Sequence, residues 1–331
     1  MRTAIVLFNL GGPDRPEAVE PFLRNLFSDP AILRVPGFLR GFLARTIARR
    51  RAPIARAVYD KLGGGSPLLP NTQAQARALE AALSDRGLDL GEVRCFVAMR
   101  YWNPFAEETV REVQRFAPDR IVMLPLYPQF STTTTASSFD DWARAAAKAG
   151  LTVPMLTIRD YPTEPGFIAA VSRLTAERLP EARAAGSVKI LFSAHGLPKK
   201  IVQAGDPYAE QVGSSVRAIA ERLGLSLDDY EVCFQSRVGP LEWIGPYTDE
   251  EIVRAAEARQ SILLVPVAFV SEHSETLVEL DIEYRHLAEK HGAPGYVRVP
   301  TVGTAPEFIA GLADLVRRAI GTERPAVLPS R

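Results

Sequence analysis

Ile121-Val-Met-Leu-Pro-Leu-Tyr-Pro and Ile262-Leu-Leu-Val-Pro-Val-Ala-Phe are the two stretches that decide the fold. Each is a short apolar run with a proline four residues after its isoleucine. Runs of this length bounded by chain breakers read as strands buried on both faces. Proline cannot donate to a ladder, so each proline marks a strand's exit. Working outward, the strand candidates of the first half are residues 4–8, 93–98, 120–124 and 152–158. Those of the second half are 188–192, 231–234, 261–265 and 296–299. Longer helical patterns separate them, which is the order of parallel βαβ units. The prediction is an α/β protein of two doubly wound, Rossmann-like domains with parallel sheets, duplicated in architecture. An N-terminal domain over residues 1–150 is joined by a last helix over 304–322, and a C-terminal domain occupies 151–303.

Composition narrows the function classes. The chain has 331 residues, 47% apolar and 24% charged, the balance of a folded globular protein. Lys plus Arg and Asp plus Glu both number 39, so no net field favours a polyanion and nucleic acid is not the expected partner. Two cysteines, Cys95 and Cys233, supply neither a disulfide framework nor a four-thiolate metal site. The N-terminus enters an apolar strand directly, without a basic leader or cleavage site, so the expected setting is a reducing cytoplasm. The longest apolar run, 262–270, is about half the roughly 20 residues a membrane-spanning helix needs.

One segment departs from neutrality. Residues 31–61 hold eight basic side chains against the single acid Asp60, interleaved with Leu33, Val35, Phe38, Leu39, Phe42, Leu43 and Ile47. This pattern suits a surface helix with snorkelling arginines, or an interfacial helix lying on anionic lipid.

Glycine-, proline- and hydroxyl-rich loops follow several strands, and in open α/β sheets ligands bind at those carboxyl ends. His195 stands at such an end, after Lys189-Ile-Leu-Phe-Ser-Ala and before Gly-Leu-Pro. Its pKa near neutrality suits a proton acceptor or a metal ligand. A second strand end opens Ser271-Glu-His-Ser-Glu-Thr-Leu-Val-Glu-Leu-Asp-Ile-Glu-Tyr. Glu272, Glu275, Glu279 and Glu283 are spaced three, four and four, one face of an α-helix, with Leu277, Leu280, Tyr284 and Leu287 on another. A row of carboxylates attracts a divalent cation, although solvation alone also explains such a run. His-Glu-x-x-His, a phosphate loop and a dinucleotide fingerprint are all missing, and Gly63-Gly-Gly-Ser-Pro follows a helix rather than a strand.

Seven stretches in order resemble the ferrochelatases, which insert ferrous iron into a porphyrin as the last step of haem synthesis. They are Asn9-Leu-Gly-Gly-Pro, Leu62-Gly-Gly-Gly-Ser-Pro, Met99-Arg-Tyr, Tyr127-Pro-Gln-Phe-Ser, Phe192-Ser-Ala-His-Gly-Leu-Pro, Phe234-Gln-Ser-Arg-Val-Gly-Pro and Phe269-Val-Ser-Glu-His-Ser-Glu-Thr-Leu. The resemblance runs nearly end to end. It implies a porphyrin cleft between the two domains, with His195 and Glu275 on opposite faces of the macrocycle as catalytic and metal-binding groups. It further implies Glu279 and Glu283 as a relay for protons or metal. Leu10, Tyr101, Tyr127 and Trp243 match positions that line the macrocycle, Arg100 lies at a polar edge, and Lys61 stands where the family can carry an arginine for the propionates. Ferrous iron is then a substrate, no cofactor is permanently held, and two cysteines exclude the iron-sulfur cluster of some members. The basic segment becomes the lip where a greasy substrate enters, with peripheral attachment to the inner face of the cytoplasmic membrane. Two other readings stay open: a cobalt chelatase of a related tetrapyrrole, and a haem carrier that needs the histidine but not Glu275.

Overall fold

The computed structural model describes residues 1–84 and 91–321. Strands β1 (Arg2–Asn9), β2 (Glu92–Met99), β3 (Arg120–Pro125) and β4 (Met155–Thr157) form one sheet in the order β2-β1-β3-β4. Strands β5 (Val188–His195), β6 (Tyr230–Gln235), β7 (Ser261–Pro266) and β8 (Tyr296–Arg298) form a second in the order β6-β5-β7-β8. Every pairing is parallel, and the two orders are the same position for position, so the duplication expected from the sequence is present. Pro125 and Pro266 close β3 and β7 as last residues. Strand β4 is shorter than its apolar run because Pro154, which has no N–H, precedes it and the ladder starts only at Met155.

The α-helices among the described residues are α1 (Val19–Ser28), α2 (Gly37–Asp60), α3 (Leu68–Ser84), α4 (Ala106–Phe116), α5 (Thr135–Lys148), α6 (Pro165–Ala184), α7 (Lys199–Gln203), α8 (Tyr208–Leu223), α9 (Thr248–Glu257), α10 (Tyr284–Lys290) and α11 (Pro306–Gly321). A π-helix, Glu275–Glu283, runs directly into α10. Residue 322, the expected end of the last helix, lies outside the described residues.

Strand β1 shows why the sheet needs helices on both faces. Ala4, Val6 and Phe8 point to one side, against Val110 and Val113 of α4 and Trp142 of α5. Ile5 and Leu7 point to the other, against Leu79 and Leu83 of α3 and Leu312 and Val316 of α11. This second cluster continues into the other sheet through Ile190, Phe192, Leu263 and Val265. Phe167 of α6 and Phe308 of α11 join the two parts edge to face, 6.2 Å between ring centroids. The halves share one core.

Helices α6 and α11 meet closely where both carry glycine. A Cβ on Gly311 would fall inside the Glu164 carboxylate, which caps α6 by accepting from Phe167 N at 2.7 Å. The last helix also reaches the first half through Arg317 Nη2, which donates to the Ala82 carbonyl of α3 at 2.9 Å.

The carboxyl ends of the two sheets meet. Gln75 of α3 is 1% exposed and donates to the carbonyls of Val270 at 2.8 Å and Gly303 at 2.9 Å, while accepting from Ser271 Oγ at 2.9 Å. Gln129, after β3, donates to Ser215 Oγ and to the Val267 carbonyl. Buried amides hydrogen-bonded across the two halves in this way fix the mutual placement of the two sheets.

Helix α2, within the segment expected to be a lip, is ordered differently from its hydrophobic pattern. Its buried positions are Ala44, Ala48, Ala52 and Tyr59, packed against α1, while Phe38 is 84%, Phe42 70% and Ile54 72% exposed. Spacing by four puts the alanines on one face, and small side chains let two helices approach. Among the described residues no helix is long and apolar enough to cross a membrane.

Gly311→Ala is expected to cost about 1–3 kcal/mol of stability through overpacking against Glu164. Gly41→Ala, on the open side of α2 where an added Cβ meets nothing within 4 Å, should stabilise by roughly 0.5–1 kcal/mol through helix propensity. Denaturant midpoints of both variants check the pair of signs.

Candidate active site

Strand β5 delivers His195 as its last residue, at the edge where the two sheets' carboxyl ends meet. The following glycine has a local reason: a Cβ on Gly196 would lie 3.0 Å from the Gln235 carbonyl and 3.2 Å from the Trp243 ring. Trp243 therefore closes down on the strand end, its ring edge-on to the imidazole with 6.3 Å between centroids. Its Nε1 donates to the Val238 carbonyl, so the indole is held from both sides.

His195 Nδ1 lies 2.9 Å from Glu275 Oε2. This contact corrects the expectation that the two groups take opposite faces of a macrocycle, because a ring with van der Waals thickness cannot pass between atoms at hydrogen-bond distance. His195 and Glu275 therefore stand side by side, and Nε2 is the imidazole nitrogen not engaged by Glu275.

The acidic row is wound as a π-helix, not the expected α-helix, over Glu275–Glu283. Hydrogen bonds from i to i+5 shift the registers, so Thr276, Val278 and Leu280 are buried while Leu277 is only partly covered. Such segments are rare and concentrate at functional sites. Glu272 precedes the winding and leaves the row: its Oε1 accepts from Arg298 Nη1 at 2.9 Å and from Thr301 N at 3.0 Å. Glu275, Glu279 and Glu283 remain, leading from His195 to Lys61, whose Nζ is 3.4 Å from Glu283 Oε1. Among the described residues no set of three or more His, Cys, Asp or Glu side chains converges on a metal position. His195 with Glu275 offers two donors.

Residues 2–320 match the sequence profile of the family described as Ferrochelatase. The ferrochelatase of Caulobacter vibrioides is 53% identical over 320 residues, covering 97% of this chain and 91% of that one. The chain belongs to the ferrochelatase family. The ferrochelatases of Phenylobacterium zucineum and Pelagibacter ubique are 53% and 48% identical, with 97% and 96% of this chain covered and 92% and 91% of theirs. Among solved structures, SirB from Bacillus subtilis with Fe3+ aligns with a TM-score of 0.56 at 12% identity, covering 96% of each chain. The sirohydrochlorin chelatase SirB in complex with cobalt, from Bacillus subtilis subspecies spizizenii, aligns at 0.55 and 12%, covering 98% of this chain and 97% of that one. Both likenesses establish the chelatase-like α/β fold. The enzyme inserts ferrous iron into protoporphyrin in haem synthesis, so iron and porphyrin are its substrates.

The electrostatics of this ferrochelatase site follow from burial and pairing. Burial works to depress the His195 pKa, but the adjacent Glu275 charge and hydrogen bond, with Glu279 beyond, raise it above its ordinary value. Burial pushes Glu275 up, yet His195, His273 and a Ser236 hydrogen bond together hold it well below the carboxylate range. Burial and the Glu275 charge push Glu279 up. The result is a histidine held to the ionised Glu275 carboxylate, beside a second carboxyl, Glu279, that binds a proton more readily.

Ser236 was not among the sequence candidates. It follows β6, its Oγ lies 2.5 Å from Glu279 Oε2 and 3.3 Å from Glu275 Oε2, and its N–H donates to Glu279 Oε1 at 3.1 Å. Tyr284 also donates to Glu279, at 3.2 Å.

The other candidates separate into two groups. Leu10 is partly exposed beside the Phe8 cluster, and Trp243 borders His195. Tyr127 is 8% exposed, with its hydroxyl 3.5 Å from Ser138 Oγ. Arg100 and Tyr101 are turned inward. The Arg100 side chain donates to Ser137 Oγ and to Asp29 Oδ2, both at 2.7 Å, and has Asp141 at 3.7 Å, while the Tyr101 hydroxyl donates to the same Asp29 oxygen at 2.9 Å. Asp29, another residue absent from the sequence candidates, thus ties the start of the basic segment to the end of β2. A guanidinium so occupied braces this part of the structure.

The His195–Glu275 pair gives stability a defined pH dependence. The raised histidine contributes fully below its unfolded value of 6.5 and loses that contribution as pH rises through its raised folded value. The depressed glutamate contributes above 4.5 and loses it as pH falls through its depressed value. The Tm difference between wild type and His195→Ala should therefore be largest between pH 4.5 and 6.5; a difference flat across pH would contradict the pairing.

Proposed function

We propose that this ferrochelatase metallates its porphyrin at the His195–Glu275 pair, with His195 as proton acceptor and both residues as ligands to the entering iron. The observation that carries the reading is the 2.9 Å contact from Nδ1 to Glu275 Oε2, which holds the ring and leaves Nε2 for the substrate. Metallation must remove two pyrrole N–H protons while a hydrated cation loses water. A pyrrole proton taken at the free Nε2 of the neutral imidazole is matched by release of the Nδ1 proton to Glu275, so the imidazole is left with no lasting charge. Glu279 and Glu283 continue from Glu275 toward the surface and form the path for metal inward or protons outward. Carboxylates suit both tasks, because they bind hard and borderline divalent ions and exchange protons.

Leu10, Tyr127 and Trp243 are proposed as macrocycle neighbours, and Lys61 as the contact for a propionate. Arg100 and Tyr101 are assigned to shaping the cleft through Asp29. An axial histidine in a haem carrier can also lean on a carboxylate, but it has no use for the further carboxyls Glu279 and Glu283 continuing away from Glu275, and this row favours the catalytic reading.

The exposed Phe38, Phe42 and Ile54, with Arg45, Arg49 and Arg50 exposed on the same helix, support a peripheral seat on anionic lipid. An apolar substrate would then enter from the surface it partitions into.

Anaerobic metallation of protoporphyrin with ferrous iron should be slowed about 100-fold or more in His195→Ala and in Glu275→Gln, the scale of a lost positioned base, with porphyrin affinity within a few-fold of wild type. Wild-type rates in either variant, read by absorbance, would remove that residue from the chemistry. In liposome flotation, Phe38→Ser with Phe42→Ser should lose binding to anionic vesicles without change in metallation of a detergent-dispersed porphyrin; binding indifferent to salt and lipid charge would count against the seat.

A further inference from the structure

Three non-glycine residues among those described have positive φ: Ala117, Arg259 and Ser236. Ala117 closes α4 and Arg259 lies just past α9, where left-handed residues ordinarily end helices. Ser236, at φ 63°, instead follows a strand and faces the reaction centre. Glycine or asparagine would adopt this conformation more readily. What serine adds there is a hydroxyl, and strain kept at a site points to a task for the strained residue.

The task is legible in the donor count. A serine hydroxyl has one proton to give and lone pairs to accept with. Ser236 Oγ faces two carboxylates at unequal distances, 2.5 Å to Glu279 and 3.3 Å to Glu275, so its single proton is directed to Glu279. Once Glu275 carries a proton, the same three groups form an unbroken chain of donors running outward from Glu275 through Ser236 to Glu279.

We propose that Ser236 is a positioning residue whose hydroxyl links Glu275 to Glu279, so that a proton arriving on Glu275 is passed into the acidic row. In the step, the Glu275 O–H bond breaks as a new Oγ–H bond forms, and the old Oγ–H bond breaks as Glu279 gains its O–H. Serine ends unchanged, one proton has moved outward, one negative charge has moved inward, and nothing is oxidised or reduced. The Ser236 N–H, bonded to the other Glu279 oxygen, keeps the receiving carboxyl in place. The inference rests on the proposed role of Glu275 as first recipient of the proton from His195.

The test compares wild type, Ser236→Gly and Ser236→Asn in anaerobic turnover with protoporphyrin and ferrous iron. Iron insertion is followed by absorbance and proton release by an indicator dye, in H2O and in D2O. Ser236→Gly, which relieves the backbone, should melt at or above the wild-type temperature. Its metallation and proton release should nevertheless slow together by about tenfold or more, with KM for porphyrin within twofold and a larger solvent isotope effect. Ser236→Asn keeps a donor to Glu279 but cannot pass a proton, and should behave like Ser236→Gly. Wild-type rates and isotope effect in Ser236→Gly, or a wild-type rate restored by Ser236→Asn, would overturn the proposal. If His195→Ala and Glu275→Gln themselves metallate normally, the failure belongs to the reading of the centre and not to Ser236.

Discussion

Everything in the site depends on the core that the two sheets share. Ile5 and Leu7 of one sheet and Ile190, Phe192, Leu263 and Val265 of the other belong to a single apolar cluster, joined through α6 and α11. Two separately packed Rossmann-like units could slide or hinge against each other, since interfaces between domains are ordinarily modest and polar. Here, sliding would open a buried apolar surface and strand the amides of Gln75 and Gln129 without partners. The carboxyl ends of both sheets are thus held facing each other before any substrate arrives. That preorganisation is what a site needs when its reactants are a rigid planar ring and a hydrated ion.

Within that frame, the charges are arranged as a gradient. Glu275 is held ionised against His195, Glu279 is pushed toward the protonated form by burial and by its neighbour, and Glu283 lies at the surface against Lys61. Adjacent carboxylates repel, and in a partly buried row the repulsion divides them into proton donors and proton holders. The π-helix supplies the geometry. Its winding brings Glu275 and Glu279 to the same serine, while Val278 and Leu280 remain anchored inside.

The fold was largely readable from the chain, because parallel strands are nearly continuous apolar runs and prolines punctuate them. All eight strands lie on the expected runs, and Pro125 and Pro266 end their strands as anticipated. His195 was readable for a related reason: a polar residue at the end of a buried strand is conspicuous. What escaped was set by contacts between distant segments. The π-winding leaves no signature in a spacing of four, which an α-helix accepts equally well. The ion pair that removes Glu272 from the row is with Arg298, and the bonds that turn Arg100 inward are with Asp29 and Ser137, residues far off in sequence. Ser236 looked like ordinary loop chemistry, since its loop was visible but its backbone conformation was not.

Helix α2 reverses the usual order of a surface helix, placing alanines inside and phenylalanines outside. A stripe of small residues buries little apolar area, so the helix is held with modest energy and its exposed rings remain a standing cost in water. The colloidal behaviour of the purified protein then depends on what covers those rings. Detergent, lipid or a neighbouring molecule will each relieve the same exposure, and solubility becomes a function of concentration and additive instead of a fixed property of the chain.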